Sequence, residues 1–262
     1  MAEPGSRPAP SSFRKRFAER EQLTGTFIKT PTPHAIEIVG ALGFDFVVID
    51  EEHAPFDPQA TDTALLAARA SGTAGIVRVP SASPVAILRV LDCGATGVLV
   101  PHVSSVTKAR DVVAACRYRK GKRGYSGSSR AGGYGGGKVW DHVARSDAET
   151  TVIAMIEDPE ALEHIDAILA VEGLDGAFIG RGDLTVALGA EANDAPAVKA
   201  AVDTVLAAAQ RARKPVCVMV GSAAEARGFR DIGASAFIVS SDQGFLRKIA
   251  GQTLAEMAQL AR

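Results

Sequence analysis

The sequence contains no apolar run of the roughly 18 residues that a membrane-spanning helix requires, and it contains only three cysteines, Cys93, Cys116 and Cys217. The cysteines are odd in number and far apart, which excludes a disulfide framework and a zinc-binding spacing. We expect small buried thiols in a reducing cytoplasm. The sequence also lacks an excess of positive or negative charge. The net charge is -1, so the bulk electrostatics favour neither nucleic acid nor an anionic membrane as a partner.

The length and the apolar content of the sequence indicate a globular domain. Its 262 residues, of which 47% are hydrophobic, suit one large domain that buries a core without disulfides. Residues 1–22 lack the apolar centre of a secretory signal. We predict that they form a flexible basic tail and a short helix, and that residues 23–262 form a single catalytic domain in the cytoplasm.

Short apolar runs rich in β-branched residues alternate with Ala-rich segments of helical periodicity. Eight runs are predicted as strands, at residues 25–29, 46–50, 75–80, 96–101, 151–157, 175–180, 215–220 and 236–240. Hydrophobicity is nearly continuous within each run, as in parallel strands that are covered on both faces.

The segments between these runs predict helices, at residues 32–42, 57–70, 84–92, 105–116, 159–169, 195–211, 222–232 and 245–261. Several helices are followed by a glycine where a positive φ is wanted, namely Gly43, Gly72, Gly94, Gly173 and Gly233. Eight strand–helix units predict a (β/α)8 TIM barrel of the α/β class. The alternative, an open doubly wound sheet, needs only about five to seven strands.

Residues 117–140 interrupt this rhythm with a Gly/Ser/basic insertion between the fourth and fifth strands. A loop of this length is usually functional or mobile, and we expect it to cover the mouth of the barrel. Residues 132–139 resemble a phosphate-binding loop through GxxxxGK. However, Val139 stands where Ser or Thr must reach magnesium, and no strand leads into the segment. We do not interpret it as a nucleotide site.

Charged residues cluster at the carboxyl ends of four predicted strands. The second strand leads into Asp50, Glu51, Glu52 and His53, the third carries Arg78, the fifth ends at Glu157, and the sixth leads to Asp183. Catalytic groups of (β/α)8 barrels lie at these ends, because the loops there form one rim. The sequence therefore predicts an active site at this rim.

Glu157 and Asp183 are the candidate metal ligands, because carboxylate oxygens suit Mg²⁺ or Mn²⁺, with Co²⁺ or Zn²⁺ as alternatives. Two protein carboxylates leave coordination positions open for water and substrate, as Lewis-acid catalysis requires. The structural alternatives are helix caps, Asp183 for a short helix after GRGD and Glu157 before Asp158. No organic cofactor is expected.

His53 and Arg78 are the candidate catalytic side chains. His53 lies in a tight turn after the acidic residues and can accept and return a proton near neutral pH. The other histidines are interpreted as surface or core residues. Arg78 lies between apolar residues and needs an anion. That anion is either a substrate carboxylate or enolate, or else Asp50 or Glu52 in an internal salt bridge.

Five motifs in order resemble the class II pyruvate aldolases of the HpcH/HpaI family, namely IDEEHAPFD, VRVP, VLDCGATGVLVP, the Glu of MIED and DGAFIGRGDL. The resemblance covers roughly residues 20–260. Each motif alone is weak, whereas the ordered set is specific. The resemblance implies a divalent-metal-dependent aldolase that joins or cleaves a 2-oxo acid (pyruvate or hydroxypyruvate) and an aldehyde through a metal-stabilised enolate.

The resemblance also implies residue roles. Glu157 and Asp183 match the metal carboxylates, His53 the general base, and Arg78 the arginine that stabilises the enolate oxygen. Asp92 matches the acid that pairs with the histidine. Asp50 and Glu52 match groups that hold metal-bound water and shape the aldehyde pocket. The backbone at Gly182 and Asp183 resembles the part that holds the oxo acid's carboxylate.

Two features depart from the family pattern. Met155 stands where many members have Gln near the bound pyruvate, which favours an altered or roomier pocket. The loop SGSSRAGGYGGG is richer in Gly than its counterpart, and its Arg130 is a candidate contact for an acceptor's carboxylate. The family usually forms hexamers through its C-terminal helices, and the apolar residues 245–260 permit such an assembly. The alternative functions are a citrate-synthase- or citrate-lyase-type enzyme of the same family and a non-catalytic barrel.

Overall fold

The computed structural model describes residues 9–261. Its centre is a closed barrel of eight parallel strands in chain order, in which β8 pairs with β1. The strands are β1 (Leu23–Ile28), β2 (Phe46–Asp50), β3 (Ala74–Arg78), β4 (Gly97–Val100), β5 (Thr151–Ile156), β6 (Gly176–Ile179), β7 (Val216–Val220) and β8 (Ala236–Ser241). The predicted (β/α)8 barrel is confirmed.

Helices surround this barrel. They are α1 (Phe13–Ala18), α2 (Pro33–Leu42), α3 (Pro58–Ala70), α4 (Pro84–Asp92), α5 (Val106–Cys116), α6 (Val139–Glu149), α7 (Pro159–Glu163), α8 (Ile165–Leu169), α9 (Arg181–Ala187), α10 (Pro196–Ala212), α11 (Ala223–Asp231) and α12 (Asp242–Ala258). Single 3-10 turns lie at Pro10–Ser12, Gly133–Gly135 and Gln259–Ala261. In the described part of the chain, no helix is long and apolar enough to cross a membrane.

Helix ends follow the local signals in the sequence. The five glycines predicted to terminate helices all have positive φ, between 68° at Gly72 and 111° at Gly233. At the other end, the Asp57 carboxylate accepts a hydrogen bond from the Ala60 N–H, and the Ser105 hydroxyl accepts one from Lys108. These bonds satisfy donors that a helix leaves unpaired at its N-terminus.

The structure differs from the predicted helices at residues 159–169 and at α6. The segment at 159–169 is divided into α7 and α8, because the chain leaves helical geometry at His164, where φ is -121° and ψ 13°. Helix α6 was not predicted. Its apolar residues are few, and only His142 and Val143 are buried, so its helical periodicity is weak in the sequence.

The amino-terminal end of the barrel is closed by α1, whose aromatic side chains pack against the residues inside the barrel. Phe13 and Phe17 are buried with ring centroids 5.8 Å apart, and Phe13 also contacts Phe46 of β2 at 5.3 Å. These rings belong to the same cluster as the residues inside the barrel. The predicted flexible tail at residues 1–8 lies outside the described residues.

Within one chain, residues 117–140 do not cover the catalytic mouth, contrary to the prediction. The segment follows α5, which returns the chain to the amino-terminal end of the strands, and its contacts are made there. Arg117 donates to the Thr150 carbonyl just before β5 and pairs with Asp175 just before β6. This location could have been predicted from the chain connectivity, because loops between a helix and the next strand lie at the opposite end of the barrel from the βα loops.

Candidate active site

The barrel interior changes from apolar to polar toward the carboxyl ends of its strands. Phe27, Val48, Ile76 and Met155 belong to the apolar cluster inside the barrel. Residues two positions further along a strand point the same way. These positions are Lys29, Asp50, Arg78 and Glu157. Inward-facing residues alternate along each strand, so the same alternation that builds the apolar core places four charged side chains above it, at the carboxyl ends of the strands.

Arg78 and Asp50 form a buried bidentate ion pair on neighbouring strands. The distances are 2.9 Å from Arg78 Nε to Asp50 Oδ1 and 2.6 Å from Nη2 to Oδ2, and Asp50 is 0% exposed. Lys29 Nζ lies 3.3 Å from the same carboxylate. Burial by itself raises the pKa of Asp50, but Arg78, the His53 N–H and Lys29 lower it overall. Asp50 is therefore ionised, and the internal salt bridge considered for Arg78 is present.

Arg78 also faces the carboxylate of Glu52. Its Nη1 lies 3.3 Å from Glu52 Oε2, which is buried and lacks a hydrogen bond of good geometry. His53 follows in the same turn, its N–H donating to Asp50 at 3.1 Å, and its Nε2 lies 3.8 Å from Glu52 Oε2. The imidazole is 56% exposed, so it is accessible at the mouth of the barrel. Glu51 turns away and bonds to Thr61 and Arg89.

Glu157 is the most deeply buried carboxylate at this mouth after Asp50, at 2% exposure. The His102 N–H donates to its Oε1 at 2.7 Å. Burial, together with the nearby carboxylates Asp183 and Glu52, raises the pKa of Glu157 to about 7, against the lowering effect of His102. The chain thus brings acidic groups together without an equal number of cations.

Asp183 lies in the first turn of α9, whose N-cap is Gly180, so Asp183 is not the cap. Both Gly182 and Asp183 are exposed toward solvent. A Cβ at residue 180 would lie 2.6 Å from the Cβ of Glu157 and 3.4 Å from the methyl carbon of Met155. Glycine at 180 therefore lets the β6–α9 turn approach the Glu157 side chain closely. Met155 fills the space beneath this approach.

A divalent metal fits this part of the site. In the described chain, no group of three or more His, Cys, Asp and Glu side chains forms a closed metal site. Glu157 is buried, and Asp183 and Glu52 lie near enough to repel its charge. Glu157 and Asp183 together match an open metal site that is completed by water and substrate. Burial raises the pKa of Glu157 because it disfavours the charged form, and a bound cation would favour the carboxylate again.

Within one chain, the predicted contacts of Asp92 and Arg130 do not form. Asp92 ends α4 at the amino-terminal side of the barrel and pairs with Arg123 at 3.1 Å, not with His53. Arg130 pairs with Asp62 at 2.8 Å and donates to the Cys93 carbonyl at 2.9 Å. Both corrections have one cause. Helix α4 runs back from the mouth, so its last residue and the segment bonded to it lie at the opposite end.

His102 was missed by sequence reasoning, which interpreted it as a surface or core residue. It follows β4 and Pro101 with a φ of 54°, and its Nδ1 lies 3.0 Å from Asp158 and 3.4 Å from Glu157. Burial lowers the pKa of His102, but Asp158, Glu157 and Glu52 raise it overall. A signal was available, because residue 102 follows a predicted strand at the same rim.

The carboxylates, arginine and histidine at the mouth of this (β/α)8 barrel are groups that a carbon–carbon lyase of the aldolase type needs to stabilise negative charge and to move a proton. The chain belongs to the HpcH/HpaI aldolase/citrate lyase family, whose model matches residues 23–248. It is 36% identical to a 5-keto-4-deoxy-D-glucarate aldolase of Escherichia coli O6:H1 over 94% of this chain and 96% of that protein. A 5-keto-4-deoxy-D-glucarate aldolase of Klebsiella pneumoniae matches to the same extent.

Solved structures agree with this assignment. A family protein from Burkholderia cenocepacia superimposes with a TM-score of 0.90 at 30% identity, covering 95% of this chain and 99% of that one. The citrate synthase SbnG gives 0.87 at 30% identity, covering 96% and 99%. The resemblance noted from the motifs is therefore confirmed, as is the prediction of an aldolase-type lyase.

Proposed function

We propose that the protein is a divalent-metal-dependent aldolase that reversibly joins a 2-oxo acid, pyruvate or hydroxypyruvate, to an aldehyde. The observation that carries the proposal is the convergence of Asp50, Arg78 and Glu157 on one end of the barrel, with Asp183 and His53 beside them. These groups can bind a chelating anion and move a proton next to it. No lysine is needed to form a Schiff base with the substrate.

Glu157 and Asp183 would hold the metal, which would supply Lewis acidity toward the oxo acid. The ion is Mg²⁺ or Mn²⁺ in this proposal, with Co²⁺ or Zn²⁺ as alternatives. The exposed backbone at Gly182 and Asp183 would hold the substrate carboxylate. Arg78 is fixed by Asp50, and one of its N–H groups remains to stabilise negative charge that develops on the keto oxygen.

His53 would take the proton from C3 of the oxo acid and return it during cleavage. Glu52 would shape the space beside His53, which includes the aldehyde pocket. Asp92 can serve as the partner of His53 only if a second copy of the chain supplies it, because its own chain places it at the far end of the barrel. This part of the proposal therefore requires an oligomer.

The His53→Ala variant tests the proton transfer. We expect the exchange of pyruvate C3 protons with deuterium, followed by NMR, to slow by about 10²–10⁴-fold. The exchange needs no aldehyde, so an unknown acceptor does not limit the experiment. His164 is an exposed histidine between α7 and α8. The His164→Ala variant is the control and should exchange the C3 protons as the wild type does. Exchange that continues unchanged in His53→Ala contradicts the proposed role.

The substrate class follows from the relatives. The compound 5-keto-4-deoxy-D-glucarate has a keto group beside a carboxylate and a hydroxyl two carbons further on, so it is a 4-hydroxy-2-oxo acid. We propose this class for the present protein. Because SbnG is a citrate synthase, citrate formation from oxaloacetate and the acetyl group of a thioester is the second candidate activity. Pyruvate release that disappears with EDTA and leaves no adduct after borohydride supports the aldolase. Citrate formation without pyruvate release supports the other candidate.

We also propose that the protein works in the cytoplasm as a homo-oligomer, a hexamer as in its family. Helix α12 has no buried residue, although Leu246, Ile249 and Leu254 are apolar. A groove of about 380 Å³ lies on the outside of β8, lined by Phe237, Val239 and the adjoining α11. A helix with exposed apolar side chains and an uncovered apolar groove suit contacts between copies of the chain.

Light scattering tests this assembly. The wild type should have six times the chain mass of 27.2 kDa, and Leu246→Asp/Leu254→Asp should release smaller species, because each change places a charge in the apolar contact. Lys199→Ala on α10 serves as the control and should not change the mass. A wild type that elutes as single chains contradicts the proposal, and with it the contribution of Asp92 to His53.

A further inference from the structure

A large cavity in the described part of the chain lies away from the catalytic mouth. Its volume is about 680 Å³, and it is lined by the amino-terminal ends of β3 and β4, at Gly75 and Thr96, by the last turn of α3, and by α6. The segment between α5 and α6 forms its remaining wall. The volume falls within the range of about 300–1,000 Å³ that is typical of small-molecule sites.

Two exposed arginines lie at the rim of this cavity. Arg69 of α3 and Arg145 of α6 both line it, and neither forms an ion pair with a described residue. Arg145 donates only to the Ala131 carbonyl, at 3.3 Å. Exposed guanidinium groups that converge on a concave surface attract anions, because the walls exclude water and concentrate the field.

A third arginine lies deeper and is incompletely bonded. The Arg123 side chain is 1% exposed, and it donates from Nη1 to Ser146 and from Nη2 to Asp92. Its Nε is buried and has no partner. A buried donor without a partner costs free energy, and an acceptor atom in the cavity that Arg123 lines would remove that cost.

The pKa of His142 is affected by the positive charges that line the same cavity. Burial lowers its pKa, and Arg123 and Arg145 lower it further. Glu149 is the single carboxylate among the lining residues, so it offsets only part of the charge of the arginines. The hydroxyl groups of Thr73, Thr96 and Thr150 add neutral hydrogen-bonding groups to the wall.

We propose that this cavity is a binding site for a small polyvalent anion, a di- or tricarboxylate or a phosphate, held by Arg69, Arg123 and Arg145. Guanidinium groups bind both carboxylate and phosphate through paired N–H donors. Within one chain, the cavity and the catalytic mouth lie at opposite ends of the strands, so the bound anion does not occupy the substrate site of its own chain.

Calorimetric titration of the full-length, metal-loaded protein tests the proposal. Two probes separate the sources of anion, namely tricarballylate for carboxylates and inorganic phosphate. Saturating pyruvate is present throughout, so that the catalytic mouth is occupied. We expect at least one probe to bind the wild type, and Arg69→Ala/Arg145→Ala to weaken that binding at least tenfold. The ratio of the two affinities identifies the preferred anion.

The matched control removes two positive charges elsewhere. Arg110 and Lys199 are exposed and lie on α5 and α10, so Arg110→Ala/Lys199→Ala should bind the probe as the wild type does. Melting temperatures establish that both variants are folded. The proposal is overturned if neither probe binds the wild type, if the cavity variant binds equally well, or if the control loses binding to the same extent.

Discussion

Replacing Glu157 by Gln is expected to abolish the rise in melting temperature that Mn²⁺ gives the wild type, and to lower turnover by at least about 100-fold. The substitution keeps the shape of the side chain and removes its charge. Glu157 is one of two proposed protein ligands, so a neutral amide leaves Asp183 alone. Thermal unfolding with and without Mn²⁺ and a pyruvate-release assay measure the two effects.

The same variant should lose no stability when metal is absent. Because the folded pKa of Glu157 is raised from 4.5 to about 7, its contribution to stability is complete below pH 4.5 and is lost as the pH rises through about 7. The metal-free wild type should therefore become less stable over this range. The Gln variant lacks this part of the pH dependence, because its side chain does not titrate.

Glu160→Gln provides the control for Glu157→Gln. Glu160 lies on α7, is exposed, and undergoes the same chemical change. It should keep both the Mn²⁺ effect and the activity. A Glu157→Gln protein that still melts higher with Mn²⁺ would place the metal elsewhere, and the proposed ligand pair would be wrong.

The second large effect is expected from Arg78→Met. The variant leaves the Asp50 carboxylate, which is 0% exposed, without its bidentate partner, and breaking a buried pair in this way costs about 3–5 kcal/mol. For a domain of this size, that cost lowers the melting temperature by roughly 10 °C. Lys29, at 3.3 Å from Asp50, is too distant to replace both hydrogen bonds.

A double variant separates stability from catalysis. Asp50→Asn/Arg78→Met removes the buried charge together with its partner, so we expect it to recover much of the lost stability and none of the activity. The pKa of Asp50 is lowered below 3.8 in the folded protein. The stability from this pair is therefore present above that pH and is lost as the pH falls through the lowered value.

Arg211→Met is the matched control, because Arg211 pairs with Asp166 in a similar bidentate geometry, at 2.8 and 2.9 Å, on the surface of the protein. Water screens this pair, so its loss should change the melting temperature little. Equal melting temperatures for Arg78→Met and the wild type would show that the buried pair does not hold β2 and β3 together.

The sequence by itself determined the barrel and most of its catalytic rim. The strands were readable because parallel strands that are covered on both faces need continuous apolar runs, and all five glycine stops have positive φ in the structure. Asp50, Arg78 and Glu157 could be predicted because each continues an inward-facing strand position. A period of two residues is local information, and it fixes which side chains point into the barrel.

Only the tertiary structure decided which residues meet across long stretches of chain. Asp92 pairs with Arg123, Arg130 pairs with Asp62, and α1 closes the barrel with Phe13 and Phe17. His102 reaches Glu157 from a neighbouring strand through a backbone turn of positive φ. No periodicity encodes such contacts, because they depend on where the closed barrel places the ends of separate elements in space.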